Sequence, residues 1–132
     1  MHSLVTWRDL SLDCLNAAKS LMDLGHLRSS VSRSYYSAYC AITDTLVDKG
    51  INFAHGWNNP SHEQLPDLVL NNLALPRSTK FEINKSIRRL RMTREDADYR
   101  PGLTIDRKRT LDSLHDAIDV LTLLEINNNG TD

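Results

Sequence analysis

A short segment near the middle of the chain concentrates side chains that bind anions or move protons. Residues 91–99 contain Arg91, Arg94, Asp98 and Tyr99. A guanidinium binds phosphate through forked hydrogen bonds, a carboxylate can orient it, and a phenol can line the edge of a pocket. These residue types predict an anion-binding site.

Helical spacing places one of these arginines on an apolar face. The apolar stripe of this helix consists of Ile83, Ile87, Leu90 and Ala97. At about 100° per residue, Arg94 falls inside the stripe, Asp98 and Arg91 lie on its border, and Tyr99 lies off it. A buried guanidinium cannot discharge by losing a proton, so it must be paired or meet an anion. Two interpretations stay open: a structural Arg94–Asp98 ion pair, or a phosphate pocket in which Asp98 orients Arg91 and Arg94.

Further candidate ligand residues lie in two other elements. Tyr35 belongs to the apolar stripe of its helix, whereas Arg33 and Tyr36 face elsewhere. We expect these two to contact a ligand or a partner subunit, with plain surface positions as the alternative. His62 is expected in the first turn of the third helix, where a structural role is favoured over a catalytic one.

Metal and redox chemistry receive little support. His115 has Asp112 three residues before it and Asp119 four residues after it, a set that arises easily by chance on an acidic helix. Cys14 and Cys40 are expected to be reduced, with one disulfide as the alternative. No metal and no cofactor is predicted.

Two long helices are predicted at the start of the chain. Thr6 and Asp9 have the spacing of a capping box, and Gly25 is the expected stop of the first helix. Its apolar positions are Leu10, Cys14, Ala17, Leu21 and Leu24. The second helix is predicted over residues 27–49, antiparallel to the first.

Three more helices follow a loop at residues 51–60. Ser61 is expected to cap a third helix that ends by Pro76, and Thr79 to cap a fourth that is broken at Pro101. A fifth is expected to begin near Thr104. No segment alternates between apolar and polar residues, so the fold class is all-α, an up-and-down bundle of about five helices.

Length and composition indicate one domain. The chain has 132 residues, of which 40% are hydrophobic and 25% charged. We expect a single domain over residues 1–126 and a flexible tail at 127–132. No segment approaches the roughly 20 apolar residues of a membrane span, so no membrane partner and a cytoplasmic location are expected.

The charge is unevenly distributed. Residues 77–109 hold eleven lysines or arginines and five acids, a local net of +6, so the remainder carries −7 given the total of −1. A phosphate-rich partner or a second copy of the chain would be attracted to such a surface. A solvated basic helix is the alternative.

The order of four motifs resembles the HEPN superfamily, and within it the small stand-alone proteins. The motifs are Asp23-Leu24-Gly25, Arg33-Ser34-Tyr35-Tyr36-Ser37-Ala38-Tyr39, Ser61-His62 and Leu90-Arg91-Met92-Thr93-Arg94-Glu95-Asp96-Ala97-Asp98-Tyr99. The resemblance implies a homodimer that brings two fourth-helix motifs together. It also implies a metal-independent ribonuclease, often a toxin of a toxin–antitoxin or phage-defence module, sometimes encoded beside a nucleotidyltransferase.

The chain departs from the active motif of that superfamily, Arg-x4-6-His. Counting from Arg94, Tyr99 stands where the histidine is expected, and a tyrosine with a pKa near 10 is a poor base at neutral pH. Arg109 and His115 have the spacing but lie in the fifth helix. If the chain cleaves RNA, the predicted catalytic residues are Arg94, Asp98 and Tyr99.

The residues predicted to bind a nucleotide or RNA are Arg33, Tyr36, His62, Arg91 and Arg94. The alternative is a non-catalytic module that docks a partner protein such as a nucleotidyltransferase.

Overall fold

A computed structural model describes residues 5–126 of the chain and shows a helical bundle. Its helices are α1 (Trp7–Asp23), α2 (Leu27–Asp48), α3 (Leu65–Asn72), α4 (Arg77–Tyr99) and α5 (Arg107–Leu123). A single 3₁₀ turn at Ala54–Gly56 lies between α2 and α3. Within residues 5–126 there is no strand, which confirms the all-α prediction. The predicted tail at 127–132 lies outside the described residues.

The second helix is the centre of the bundle. It packs against α1, α3, α4 and α5. Tyr35, Ile42 and Leu46 on α2 are fully buried against side chains of the other helices, among them Leu65 and Leu90. Burying each large apolar side chain stabilises the fold by about 1.5–3 kcal/mol. The core therefore fixes α3 and α4 on the same central helix.

Small polar residues join α1 to α2. The Ser11 hydroxyl donates to the Ser37 carbonyl at 2.7 Å, and the Ser37 hydroxyl donates to the Ser11 carbonyl at 2.8 Å. The Ser30 hydroxyl donates to the Ala18 carbonyl at 2.7 Å. Because positions on α1 rise as those on α2 fall, the two helices are antiparallel, as predicted.

The buried face of α1 differs from the predicted apolar stripe. The buried residues are Ser11, Leu15, Ala18 and Met22. Leu10 and Leu24 were expected inside, but they are 39% and 72% exposed. The short hydroxyl side chains let the two backbones approach closely while keeping their own hydrogen bonds satisfied. The residues of α1 that are buried against α2 are therefore determined more by close packing of the two backbones than by apolar periodicity.

Two of the predicted helix starts are wrong. The amide of Gln64 donates to the Ser61 hydroxyl at 3.1 Å, but α3 begins only at Leu65. His62 therefore lies in the turn before α3 and not in its first turn. The fourth helix begins at Arg77, immediately after Pro76, so Thr79 lies inside α4 and does not cap it.

Other boundaries agree more closely with the sequence. Thr6 and Asp9 form the predicted capping box at the start of α1. The fourth helix ends at Tyr99, before Pro101. The fifth starts slightly later than predicted, because Asp106 caps it by accepting from the Arg109 amide at 2.8 Å. Across residues 5–126, no helix combines the length and apolar character needed to cross a bilayer.

Candidate anion-binding site

Arg94 is the centre of a cluster formed by α2, α4 and the turn before α3. It is only 8% exposed. Its Nε donates to the Asp98 carboxylate at 2.9 Å, and its Nη2 donates to the hydroxyls of Tyr36 at 3.0 Å and Tyr99 at 3.1 Å. The ion pair that the sequence left as one alternative is therefore formed.

Three tyrosine rings surround the same guanidinium. Its central carbon lies 5.2 Å from the ring centroids of Tyr36 and Tyr99, and 5.6 Å from that of Tyr35. A cation at this distance is attracted by the ring quadrupole. Burial acts to lower the pKa of Arg94, but Tyr36, Tyr99 and Asp98 outweigh it and raise the pKa above its ordinary value. The guanidinium is therefore charged at neutral pH.

The Arg94 guanidinium uses two of its three nitrogens in the hydrogen bonds described above. The N–H groups of Nε and Nη2 are used by Asp98, Tyr36 and Tyr99. Within residues 5–126, Nη1 has no hydrogen-bond acceptor. An arginine that is held firmly by one edge and free on the other can bind an anion without losing its own support.

Arg91 lies one helical turn before Arg94. Its Nη1 donates to the His62 carbonyl at 3.3 Å, and its Nε lies 3.5 Å from the Glu95 carboxylate. That Nε is buried and makes no hydrogen bond in the described part of the chain, so its charge is balanced by the ion pair alone. Arg91 thereby links α4 to the turn that carries His62.

His62 packs among the tyrosines of α2. Its Nδ1 lies 2.6 Å from the Tyr35 hydroxyl, and its ring centroid lies 5.0 Å from Tyr39 and 5.9 Å from Tyr36. The Tyr39 hydroxyl donates to the Pro60 carbonyl at 2.5 Å. These contacts anchor the turn to α2 and place the imidazole beside both arginines.

The surroundings of Tyr35 and His62 determine the protonation state of each side chain. Burial raises the pKa of Tyr35, so its hydroxyl keeps its proton. Burial, Arg94 and Arg91 lower the pKa of His62 below 6.5, so the imidazole is neutral at neutral pH. In the described chain the buried Tyr35 hydroxyl has no partner except Nδ1, so it donates there and the imidazole proton lies on Nε2. His62 therefore offers a hydrogen-bond donor and not a base.

Arg33 lies at the border of this cluster. Its guanidinium carbon is 5.0 Å from the Tyr36 ring centroid, and its Nη1 is 3.9 Å from the Cys14 sulfur. The helical wheel placed Tyr36 and Arg33 away from the apolar stripe of α2. The structure shows that α4 packs against this side of α2, which brings Tyr36 into contact with Arg94.

The remaining sequence candidates lie elsewhere. Arg109 pairs with Asp96 at 3.0 Å, and both Arg109 and His115 line a surface cavity between α4 and α5. The Arg109 and His115 pair is therefore not part of the Arg94 cluster. Within residues 5–126, no three His, Cys, Asp or Glu side chains, including His115 and its neighbouring acids, form a metal-ligand group.

Sequence reasoning missed one residue that supports the site. Arg28, in the first turn of α2, donates to five backbone carbonyls around the end of α4: Asp96 at 3.2 Å, Ala97 at 2.9 Å, Arg100 at 3.3 Å, Pro101 at 3.3 Å, and Leu103. The carbonyls that end a helix lack partners within it, and a cation there also complements the helix dipole. Arg28 therefore holds the helix end that carries Asp98 and Tyr99. No local pattern in the sequence signals this contact, because its partners are 68–75 residues away.

Comparison with known proteins identifies the family. The family model described as HEPN domain matches residues 4–127. Searches of curated proteins and of solved structures find no significant match. The match covers nearly the whole chain and agrees with the helical bundle. This chain therefore belongs to the HEPN domain family.

Proposed function

We propose that the chain binds the phosphate of a nucleotide or of RNA at the Arg94 cluster. The observation that carries the proposal is that, among the residues the structure describes, Nη1 of this buried guanidinium has no partner, whereas Nε and Nη2 are fixed by Asp98, Tyr36 and Tyr99. In the role we propose, the protein is the toxin or effector of a toxin–antitoxin or phage-defence module. Membership of the HEPN family supports this role.

The charges and donors of the cluster suit an anion. Three cations, Arg33, Arg91 and Arg94, stand against two carboxylates, Glu95 and Asp98. The neutral imidazole of His62 adds an N–H donor beside the arginines. The local excess of positive charge and donors attracts phosphate rather than a cation.

An exposed aromatic ring next to the arginine suits a nucleobase. Tyr99 is 67% exposed, although its hydroxyl accepts from Arg94. Single-stranded RNA is bound by stacking its bases on such rings, at about 1–3 kcal/mol per base. We infer that a base stacks on Tyr99 while its phosphate meets Nη1 of Arg94.

The same geometry favours binding over cleavage. Attack by an RNA 2′-hydroxyl needs a group that takes its proton. His62 carries its proton on the nitrogen that is not bound to Tyr35. Asp98 is already bound to Arg94 and accepts from the Ser32 hydroxyl at 3.3 Å. His62 is therefore not placed as a free base, and Asp98 is held in an ion pair with Arg94 through its Oδ2.

An RNA incubation in EDTA tests the proposal. A short labelled single strand is mixed with the wild type and with Arg94→Ala, and both its fluorescence anisotropy and its fragments on a gel are measured. We expect binding by the wild type, no binding by the variant, and intact RNA. Fragments ending in 2′,3′-cyclic phosphate that disappear in the variant would make the protein a ribonuclease. A wild type that neither binds nor cleaves would leave Arg94 and Asp98 as a structural ion pair.

Exposed apolar side chains support a second candidate, a protein-docking module that forms a homodimer or holds a nucleotidyltransferase. Met92 and Tyr99 are seven residues apart on α4 and are 64% and 67% exposed, and Leu103 is 45% exposed. Residues at this spacing share one helix face, so they can contribute to one docking surface. Light scattering of the purified chain tests the homodimer. A dimer that Met92→Glu converts to a monomer supports it, and a monomeric wild type excludes it.

A further inference from the structure

Cys14 and Cys40 meet across the interface between α1 and α2. Cys14 follows Ser11 by about one turn on α1, and Cys40 follows Ser37 by about one turn on α2. Helical side chains tilt toward the N-terminus of their own helix, so both thiols lean toward the level at which Ser11 and Ser37 meet. The Cys40 thiol hydrogen-bonds to Cys14. Both cysteines are free; Cys14 is partly exposed, whereas Cys40 is buried. The Cys14 thiol is therefore accessible to solvent, whereas the Cys40 thiol is not.

A cation lies beside the accessible thiol. Nη1 of Arg33 is 3.9 Å from the Cys14 sulfur. The hydrogen bond from Cys40, assisted by Arg33, outweighs burial and Asp13 and lowers the pKa of Cys14 from 9.0 to about 7. Since the thiolate is the nucleophilic form, Cys14 is more reactive at neutral pH than an ordinary cysteine. The pKa of Cys40 is raised, chiefly by its hydrogen bond to Cys14 and by burial, so it remains a thiol.

We propose that Cys14 is a site of oxidation by hydroperoxides and that Cys40 is the second thiol that converts the product to a disulfide. A partly exposed thiol beside a cation, with a second thiol in contact, is the arrangement of cysteines that respond to oxidants. The sequence alone favoured two reduced thiols and left one disulfide as the alternative, because these residues are separated by 26 positions and share no motif.

The oxidation of Cys14 and the formation of the disulfide are two separate steps. The Cys14 thiolate attacks one peroxide oxygen, the O–O bond breaks, and the leaving hydroxide or alkoxide takes a proton from solvent. Cys14 becomes a sulfenic acid while the hydroperoxide is reduced to water or an alcohol. The Cys40 sulfur then attacks the Cys14 sulfur, the S–O bond breaks, and the hydroxide leaves as water with the Cys40 proton.

Oxidation of Cys14 also changes the surroundings of Arg33. The disulfide carries no charge, so Arg33 loses the thiolate that faces it. The same guanidinium packs on Tyr36, whose hydroxyl accepts from Arg94. The oxidation proposal itself rests on the thiols and Arg33 alone and does not depend on RNA or nucleotide binding.

Peroxide treatment of the full chain, followed by mass spectrometry of its peptides, tests the proposal. We expect a Cys14–Cys40 disulfide in the wild type. Cys40→Ser should instead accumulate a sulfenic acid on Cys14 that a dimedone reagent captures. Arg33→Gln should slow the reaction several-fold, whereas Arg107→Gln, which removes an exposed arginine from α5, should leave its rate unchanged. A wild type that keeps both thiols, or that is oxidised first at Cys40, overturns the proposal.

A second measurement needs no variant. The rate of alkylation of Cys14 by iodoacetamide in the folded wild type is followed against pH. The rate should rise with a midpoint near pH 7. A midpoint at the ordinary thiol value, near 9.0, would overturn the proposal even if the Cys40→Ser and Arg33→Gln variants failed to fold.

Discussion

The Tyr35 hydroxyl lies 2.6 Å from Nδ1 of His62, within hydrogen-bond distance. Tyr35 is fully buried on α2, and His62 lies in the turn before α3, so this bond joins the core to the edge of the candidate site. It also decides which imidazole nitrogen carries the proton. The donor character of His62 therefore depends on a tyrosine that the sequence marks only as core.

The ionisation of His62 should report the two arginines beside it. We expect His62 to titrate below pH 6.5, because burial, Arg94 and Arg91 all disfavour the imidazolium. Arg91→Gln should raise the pKa of His62 toward 6.5, since it removes one of those charges. Titration of the imidazole protons by NMR measures both values. A wild-type pKa above 6.5 would mean that the imidazole does not lie in the field of these arginines.

Protein stability should fall as the pH is lowered through this range. Below pH 6.5 the histidine of the unfolded chain binds a proton more readily than His62 does in the folded chain, so acid favours unfolding. The free energy of unfolding should therefore fall as the pH is lowered through 6.5. His62→Gln should lose part of this dependence, and His115→Gln, which replaces an exposed histidine of α5, should retain it. Urea titrations at several pH values measure the slopes, and equal slopes for both variants would refute the assignment.

Removal of Arg28 should loosen the end of α4. Arg28→Ala leaves the carbonyls at the α4 terminus without their shared donor, and hydrogen bonds to charged groups contribute about 1.5–3 kcal/mol. We expect a loss of about 2–3 kcal/mol in the free energy of unfolding and faster amide exchange at residues 100–103. Arg107→Ala is a matched control, because the exposed Arg107 side chain makes no hydrogen bond within the described residues. A loss below about 0.5 kcal/mol would show that water replaces Arg28 without cost.

The fold was largely predictable, and the errors have local causes. The number and type of helices follow from periodicity and from breakers such as Gly25 and Pro101. The buried face of α1 was missed, because Ser11 and Ala18 pack closely without being strongly apolar. The start of α4 was missed, because Pro76 occupies the cap position without a side-chain hydrogen bond, so no hydroxyl marks the beginning of this helix.

The site was predictable only where it lies on a single helix. The wheel of α4 placed Arg94 inward and Asp98 beside it, and both positions agree with the structure. The contact of Arg94 with Tyr36 and the approach of His62 depend on how α2, α3 and α4 pack. Such contacts join residues that are 27–58 positions apart, and no periodicity within one helix encodes them.

The affinity of a short single-stranded RNA, measured by fluorescence anisotropy at about 0.15 M salt, tests the central claim most directly. The comparison is between wild type, Arg94→Lys and Arg89→Lys, with thermal melting to show that each is folded. Lysine keeps the charge but loses the forked donors, so Arg94→Lys should weaken binding about tenfold or more, equivalent to about 1.4 kcal/mol. Arg89→Lys, on the same helix but paired with Asp116 at 2.8 Å, should bind as the wild type does. Folded Arg94→Lys with wild-type affinity, or a wild type that binds no RNA or nucleotide, would contradict phosphate binding at Arg94.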